Sequence, residues 1–136
     1  MKATPKALAI RWFEEVWNQR RTETIHELFP AHGIGHLEGT EIQGPEQFLA
    51  IHSEFVTAFP DIRFTVDGIV SEGDSTTVRW TAQGTHSGKA LGLEPTGRPV
   101  TIRGMTWLRF EDEVIVEGWD CWNQAGLIQS LRAPAN

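Results

Sequence analysis

Residues 98–122, RPVTIRGMTWLRFEDEVIVEGWDCW, contain two runs in which apolar and polar side chains alternate, separated by the acidic segment EDE at residues 111–113. A period of two is typical of β-strands, and a short polar segment between two such runs indicates a hairpin. We predict that Glu111 to Glu113 form a three-residue loop, a register that places Gly104 opposite Asp120. Asp120 then points to the more apolar face of the sheet, beside a gap left by glycine. Burial of this kind raises a carboxyl pKa, which suits the group to proton transfer.

The rest of the chain predicts helices followed by strands. Apolar residues recur at helical spacing in the first sixty residues, and prolines mark the boundaries of these segments. From Asp61 the period changes to two, and glycine-containing turns separate the strands. This order favours an α+β fold, with N-terminal helices packed on one face of a curved antiparallel or mixed sheet. The predicted helices run from Pro5 to about Asn18, from about Ile25 to Pro30, from Pro45 to Pro60, and over the final GLIQSL segment.

Length and charge limit the classes of function. The chain has 136 residues and a formal net charge of -6, and this length predicts one domain spanning residues 1–136. Scattered Lys and Arg residues in an acidic chain disfavour nucleic-acid binding, and no apolar run approaches the roughly 20 residues that span a bilayer, so we expect no membrane partner. The single cysteine, Cys121, excludes an internal disulfide, and the charged N-terminus is unlike a signal peptide, which favours the cytoplasm.

Sequence motifs for cofactors are missing. The chain has no GxGxxG or GxxxxGK[ST] fingerprint for nucleotides, and the glycines between His32 and His36 argue against a metal-binding helix there. We therefore expect neither an organic cofactor nor a metal ion. Cys121 lies on the strand face opposite Asp120 without a clear activating histidine, so a thiolate nucleophile is not expected.

Several segments together carry a family resemblance. They are FPDIRFTV at 59–66, GDSTTVRWTAQGTHSG at 73–88, PTGRPVTIRGM at 95–105, and RFEDEVIVEGWD at 109–120 leading to AGLIQSL at 125–131. In their order and spacing these segments resemble the SnoaL-like polyketide cyclase family, which belongs to the nuclear transport factor 2-like superfamily. The resemblance covers nearly the whole chain.

The resemblance implies a cone-shaped α+β barrel that encloses a pocket and needs neither metal nor organic cofactor. Cyclases of the family close a ring of an aromatic polyketide ester by intramolecular aldol condensation, and an aspartate on the last strand takes and returns the proton. That aspartate corresponds to Asp120. The sequence departs from the family at Thr106, where a pocket histidine is usual, and at Glu113, where the hairpin turn usually has glycine. Similar relatives are assigned to hydroxylation or epoxide chemistry, so the fold alone does not choose the reaction.

The predicted site combines one carboxylate with histidines and aromatic walls. We expect Asp120 to act as general acid/base, and His36 or His86 to polarise a carbonyl oxygen. Each histidine has a second interpretation as a hydrogen-bonded core residue, and Asp120 has one as the cap of the last helix. The first helix near Trp17 and the loop at residues 88–97 are expected to close the cavity. The predicted substrate-binding residues are Trp17, His52, Trp80, Thr106 and Trp122.

Two classes of function fit this site. The first is an enzyme that moves a proton on a small hydrophobic, aromatic or carbonyl-containing substrate, by aldol cyclisation or isomerisation. The second is a non-catalytic pocket that binds a small molecule, and a related hydroxylase or hydrolase is a further alternative. The carboxylate of Asp120, with the small residues Gly104 and Gly118 beside it, favours the enzyme, and the sequence does not identify its substrate.

The opposite face of the predicted sheet is unusually apolar. Met105 and Trp107 lie on one strand, and Ile115, Trp119 and Cys121 lie on the next. A solvated sheet face normally carries fewer apolar side chains. We therefore predict a homodimer that uses this face.

Overall fold

The computed structural model describes residues 2–134, so the two ends of the predicted domain, Met1 and residues 135–136, lie outside the described residues. The helices are α1 (Pro5–Arg11), a π-helical segment (Trp12–Asn18), α2 (Thr22–Leu28), α3 (Pro45–Ala58) and α4 (Gln124–Arg132). The strands are β1 (Ile34–Leu37), β2 (Thr40–Gln43), β3 (Arg63–Glu72), β4 (Ser75–Thr85), β5 (Pro99–Glu111) and β6 (Val114–Trp122). Between residues 2 and 134, no helix has the length and apolar character needed to cross a membrane.

All six strands form one mixed sheet with the order β2-β1-β6-β5-β4-β3. Neighbouring strands are antiparallel except β1 and β6, which pair in parallel. The sheet does not close on itself, because β2 and β3 are its two edges. Helices lie on one side of it, so the predicted α+β class is confirmed. The β1–β2 hairpin lies in a part of the chain where no strand was predicted.

The first helix changes its winding halfway along. Thr4 Oγ1 accepts a hydrogen bond of 3.1 Å from the Ala7 amide, so Thr4 caps α1. The helix continues to Asn18, but its second half is a π-helix with four buried side chains, Trp12, Phe13, Val16 and Trp17. The Asn18 amide then pairs with both backbone groups of Phe64 in β3, at 2.9 and 2.7 Å. This pair of bonds fixes the helix end to the edge of the sheet.

The turn between β5 and β6 is shorter than predicted. Asp112 and Glu113 form a two-residue turn in which both have positive φ, 50° and 64°. Two residues in this conformation match the twist of a tight hairpin better than a longer loop does. This turn moves the register by one residue from the predicted one, and a bulge in β6 moves it by one more, so Asp120 lies opposite Thr106 and the prediction that it lies opposite Gly104 is wrong.

A bulge in β6 reverses which side chains face the helices at the start of that strand. Arg109 pairs with Glu117, but the next residue, Phe110, pairs with Ile115, so Val116 is the extra residue. Ile115 is consequently buried, with 1% of its surface exposed. The prediction that Ile115 belongs to the outer face is wrong for this reason.

Candidate active site

A cavity with a volume of about 160 Å³ lies between the helices and the sheet. Its walls are mainly aromatic, contributed by Trp12, Phe13, Trp17, Phe29, Phe48, Phe55, Phe64, Trp80 and Trp122. Such walls suit a flat, largely apolar ligand. The polar side chains that line the cavity are Glu38, Thr40, Thr106, Asp120 and Gln124.

Asp120 is connected to a chain of hydrogen bonds that crosses three strands. Trp80 Nε1 donates to Thr106 Oγ1 at 2.9 Å, and Thr106 Oγ1 donates to Asp120 Oδ1 at 2.6 Å. An indole N–H can only donate, so the hydroxyl of Thr106 accepts from Trp80 and directs its own proton to Asp120. Asp120 Oδ2 has no hydrogen-bond partner among residues 2–134. The second carboxyl oxygen is therefore available to a ligand.

Burial raises the pKa of Asp120 to about 6. The hydrogen bond from Thr106 acts in the opposite direction, because it stabilises the charged form, and the nearby charge of Glu38 raises the pKa further. A carboxyl group with this pKa is mostly ionised at neutral pH, and it can both take up and release a proton near that pH. The sequence prediction that Asp120 points inward next to aromatic side chains is confirmed.

Gly104 makes room for Trp80, because a Cβ atom at Gly104 would lie 2.5 Å from the Trp80 ring. The gap that the sequence predicts beside Asp120 is therefore occupied by the indole that bonds to Thr106. This close approach requires glycine in β5.

The β1–β2 turn brings a second carboxylate to the cavity. Glu38 Oε1 accepts a hydrogen bond of 2.9 Å from the Trp122 amide, two residues beyond Asp120. Gly39 completes the turn with φ of 78°, and Gln124 lies against this turn. Sequence reasoning missed Glu38 and Gln124. The only signal for the turn was the segment HLEGTE, which is too short to predict a strand pair on its own.

Of the predicted site residues, the structure brings Trp17, Trp80, Thr106 and Trp122 together with Asp120 around the cavity. The three histidines are not among its lining residues. The loop at residues 88–97 is also absent from the lining, although Leu91 and Leu93 pack against the core elsewhere. The predictions that these histidines line the cavity and that this loop closes it are therefore wrong.

His52 is buried behind the cavity wall. Its Nε2 donates a hydrogen bond of 2.8 Å to the Val16 carbonyl, and its ring lies 4.9 Å from the Trp17 ring. Burial lowers the pKa of His52. The apolar stripe of α3 does carry this side chain inward, but the side chain packs against Trp17, which lines the cavity, and does not itself line it.

His36 lies on the opposite side of the sheet. In β1, Gly35 and Leu37 line the cavity, so alternation directs His36 outward. Its ring nitrogens bond to Glu41 and Glu117 at 2.8 and 2.7 Å, and hydrogen bonding to Glu117 raises the pKa of His36.

His86 is fully buried just beyond the end of β4. Its Nδ1 accepts a hydrogen bond from the Thr96 amide at 3.3 Å and lies 3.0 Å from Thr96 Oγ1. The inward direction was predicted correctly, but the residue lies beside Phe59, which is not among the cavity residues.

No group of three or more His, Cys, Asp or Glu side chains between residues 2 and 134 is arranged to hold a metal ion.

Known proteins share both the sequence pattern and the fold. Residues 7–131 match the model of the SnoaL-like polyketide cyclase family. The chain is 30% identical over 130 residues to the aklanonic acid methyl ester cyclase AcmA of Streptomyces galilaeus, covering 93% of this chain and 90% of that protein. The chain belongs to the SnoaL-like polyketide cyclase family, which confirms the family predicted from the sequence.

Two solved structures show the same architecture. IdmH of Streptomyces antibioticus, which is proposed to be a polyketide cyclase, has a TM-score of 0.82 and 30% identity, covering 96% of this chain and 100% of that chain. AclR of Streptomyces galilaeus, which is proposed to be a hydroxylase, has a TM-score of 0.83 and 28% identity, covering 97% of this chain and 83% of that chain. Proteins assigned to different reactions thus share this fold.

Proposed function

We propose that the protein closes a ring in a polyketide-like carbonyl compound by intramolecular aldol addition, without a cofactor, with Asp120 as general base and then general acid. The observation that supports this proposal most directly is the carboxyl group of Asp120 in the wall of an aromatic cavity. One of its oxygens is held by Thr106, and the other is available to a ligand.

In the first step, Asp120 Oδ2 takes a proton from a carbon next to a carbonyl group of the substrate, leaving an enolate. The enolate carbon attacks a second carbonyl carbon of the same molecule, so one C–C bond forms and the attacked carbonyl becomes an alkoxide. The alkoxide then takes the proton back from Asp120. No atoms are gained or lost, and the carboxylate is regenerated.

The rest of the cavity assists in two ways. Aromatic walls hold a flat substrate so that its two carbonyl groups meet, which lowers the entropic part of the barrier. Thr40 and Gln124 are the lining residues with neutral hydrogen-bond donors near the Glu38 turn, and they replace the histidines as the groups that stabilise negative charge on the substrate oxygens.

Hydroxylation is the second candidate reaction, and the similarity to AclR favours it. The resemblance adds to this, because Thr106 stands where a pocket histidine is usual in the cyclases, and that departure is compatible with a reaction other than cyclisation. A non-catalytic pocket is the remaining alternative, in which Asp120 only orients a ligand.

The test is Asp120→Asn, which keeps the shape of the side chain and removes the proton acceptor. Turnover of a polyketide ester such as aklanonic acid methyl ester should fall by about 10²- to 10⁴-fold while ligand binding remains. Asp74→Asn, in the exposed β3–β4 turn, is the matched control and should keep full activity. An active Asp120→Asn protein would exclude the general-base role.

We also propose that the protein forms a homodimer through the outer face of the sheet. Met105 and Trp107 are 51% and 48% exposed there, and Trp107 lies 4.9 Å from Trp119. Exposed aromatic area of this kind marks interaction surfaces. Basic Arg79 and acidic Glu117 lie on the same face, and a surface with both signs of charge can pair with its own copy about a two-fold axis.

A further inference from the structure

We infer that Glu38 is a specificity-determining residue, which accepts a hydrogen bond from a hydroxyl group of the ligand in the cavity. The inference rests on the proposed function only in taking this cavity as the substrate site. It adds a substrate class to that function, namely neutral aromatic compounds that carry a free hydroxyl group.

The position of Glu38 is fixed by the backbone. Its Oε1 accepts the Trp122 amide at 2.9 Å, which anchors the carboxylate of the β1–β2 turn to β6. Its Oε2 has no hydrogen-bond partner in the part of the chain that the structure describes. One oxygen is therefore anchored and the other can accept a further bond.

The charges around the cavity determine which kind of ligand Glu38 can bind. The charged side chains among its lining residues are Glu38 and Asp120, and no Lys, Arg or His of residues 2–134 lines it. Two carboxylates without a cation repel an anionic ligand and attract a hydrogen-bond donor. A bond from a neutral hydroxyl to a charged acceptor is about twice as strong as one between neutral groups, so the preference for a hydroxyl should be measurable.

Glu38 is also near enough to Asp120 to act on the same ligand. Both side chains line the cavity, and Glu38 is bonded to the backbone of Trp122, two residues after Asp120. The charge of Glu38 also contributes to the raised pKa of Asp120. A ligand held at Glu38 through its hydroxyl group is thereby oriented relative to the oxygen that moves the proton.

Glu38→Gln separates this role from a purely structural one. A glutamine amide oxygen can still accept the Trp122 amide, so the turn remains anchored. The group left for the ligand becomes an NH₂ donor instead of an acceptor. A structural role predicts unchanged ligand preference, whereas the inferred role predicts that the preference for a hydroxyl is lost.

The experiment measures binding of three matched probes by isothermal titration calorimetry: 2-naphthol, 2-methoxynaphthalene and 2-naphthoate. The wild type should bind 2-naphthol about tenfold more tightly than the methoxy compound, the expected size of one charge-assisted hydrogen bond, and should bind 2-naphthoate most weakly. In Glu38→Gln the two neutral probes should bind about equally, and 2-naphthoate should bind more tightly than it does to the wild type.

Two further variants complete the design. Glu41→Gln removes a carboxylate from the outer face and should behave as the wild type. Glu38→Ala provides the same comparison if Glu38→Gln does not fold, and it should also abolish the preference. The inference would be overturned if the folded Glu38 variant kept the wild-type preference for 2-naphthol over 2-methoxynaphthalene, or if Glu41→Gln lost that preference to the same extent. It would also be overturned if the wild type did not bind 2-naphthol. Because binding requires no turnover, these results are independent of whether Asp120→Asn is active.

Discussion

Thr106 can donate its hydroxyl proton to Asp120 because Trp80 occupies the acceptor side of the same hydroxyl. The two bonds, 2.9 and 2.6 Å long, run in one direction, since an indole N–H never accepts. One carboxyl oxygen is therefore always occupied. This geometry offsets part of the rise in the Asp120 pKa that burial causes, and it leaves Oδ2 as the oxygen open to a ligand.

Removing the hydroxyl of Thr106 should raise the pKa of Asp120 above about 6, because the hydrogen bond from Thr106 stabilises the charged carboxylate. Thr106→Val should also destabilise the fold by about 1–3 kcal/mol, since Trp80 Nε1 loses its acceptor. A carbon-13 NMR titration of the Asp120 carboxyl group checks the first effect. Thr106→Ser keeps the hydroxyl and should titrate as the wild type, and an unshifted pKa in Thr106→Val would contradict the proposed direction of the bond.

The rate of the proposed reaction should rise with pH through the Asp120 pKa of about 6 and level off above it. The sign follows from the role of a general base, which acts only in its ionised form. Roughly a tenfold loss is expected one pH unit below that pKa. The measurement is kcat/KM between pH 4.5 and 8. A profile that falls with pH in this range would indicate that Asp120 acts first as an acid.

Asp120 should make the folded protein less stable at neutral pH than at pH 4. Its pKa is raised from 3.8 to about 6 on folding, so the folded state binds more protons than the unfolded state between these values. That stabilisation is fully present below pH 3.8 and is lost as pH rises through about 6. Asp120→Asn removes the charge and should raise the free energy of unfolding at pH 7 by up to about 3 kcal/mol. Urea unfolding of the wild type and of Asp120→Asn at pH 4 and pH 7 measures this effect. The prediction would be contradicted if the two proteins differed in free energy of unfolding by the same amount at both pH values.

Glu113→Gly should stabilise the β5–β6 hairpin. Glu113 has φ of 64°, a conformation that costs an ordinary residue about 1–2 kcal/mol and glycine almost nothing. The loss of its bond to the Ala3 amide and the greater chain entropy of glycine reduce the expected gain to about 0.5–1 kcal/mol. Thermal unfolding checks the result. Glu111→Gly is the control, and it should destabilise the protein because Glu111 is in extended strand.

Trp107→Glu should dissociate the proposed homodimer. A charge at the centre of an apolar interface cannot be solvated there, so association becomes unfavourable. Sedimentation velocity at micromolar concentration should give a dimer for the wild type and a monomer for the variant. Ile10→Glu, on an exposed position of α1 away from this face, is the control and should remain dimeric. A monomeric wild type would exclude the proposed dimer.

Alternation along one strand was enough to predict the direction of Asp120, because a period of two places every second side chain on the same face. The partner of Asp120 depended on both the turn and the bulge at Val116, and the sequence EDE did not reveal that Asp112 and Glu113 both adopt positive φ. The bulge at Val116 was equally hidden, since its effect is to move Ile115 into a core that forms only in the complete fold.

The histidines show a second limit of prediction from the sequence. The direction of the His36 side chain could be predicted only if β1 were known to be a strand. That strand is held by parallel pairing with β6, about eighty residues later in the chain. His52 and His86 do point inward, but whether an inward side chain reaches a cavity depends on what lies in front of it. His52 packs against Trp17, which lines the cavity, and His86 packs against Phe59, which is not among the cavity residues. Composition and spacing carry no information about such screening.

The one-directional bonding of Asp120 has a stereochemical consequence. With Oδ1 occupied by Thr106, a proton taken from the substrate resides on Oδ2 and leaves from Oδ2. In the proposed reaction a single atom therefore removes the proton from the substrate carbon and delivers it to the alkoxide oxygen. The nucleophilic carbon and the attacked carbonyl oxygen must both come within hydrogen-bond reach of Oδ2, so the enolate adds to one face of that carbonyl, and the product should carry one defined configuration at the new carbinol carbon rather than form as a racemic mixture.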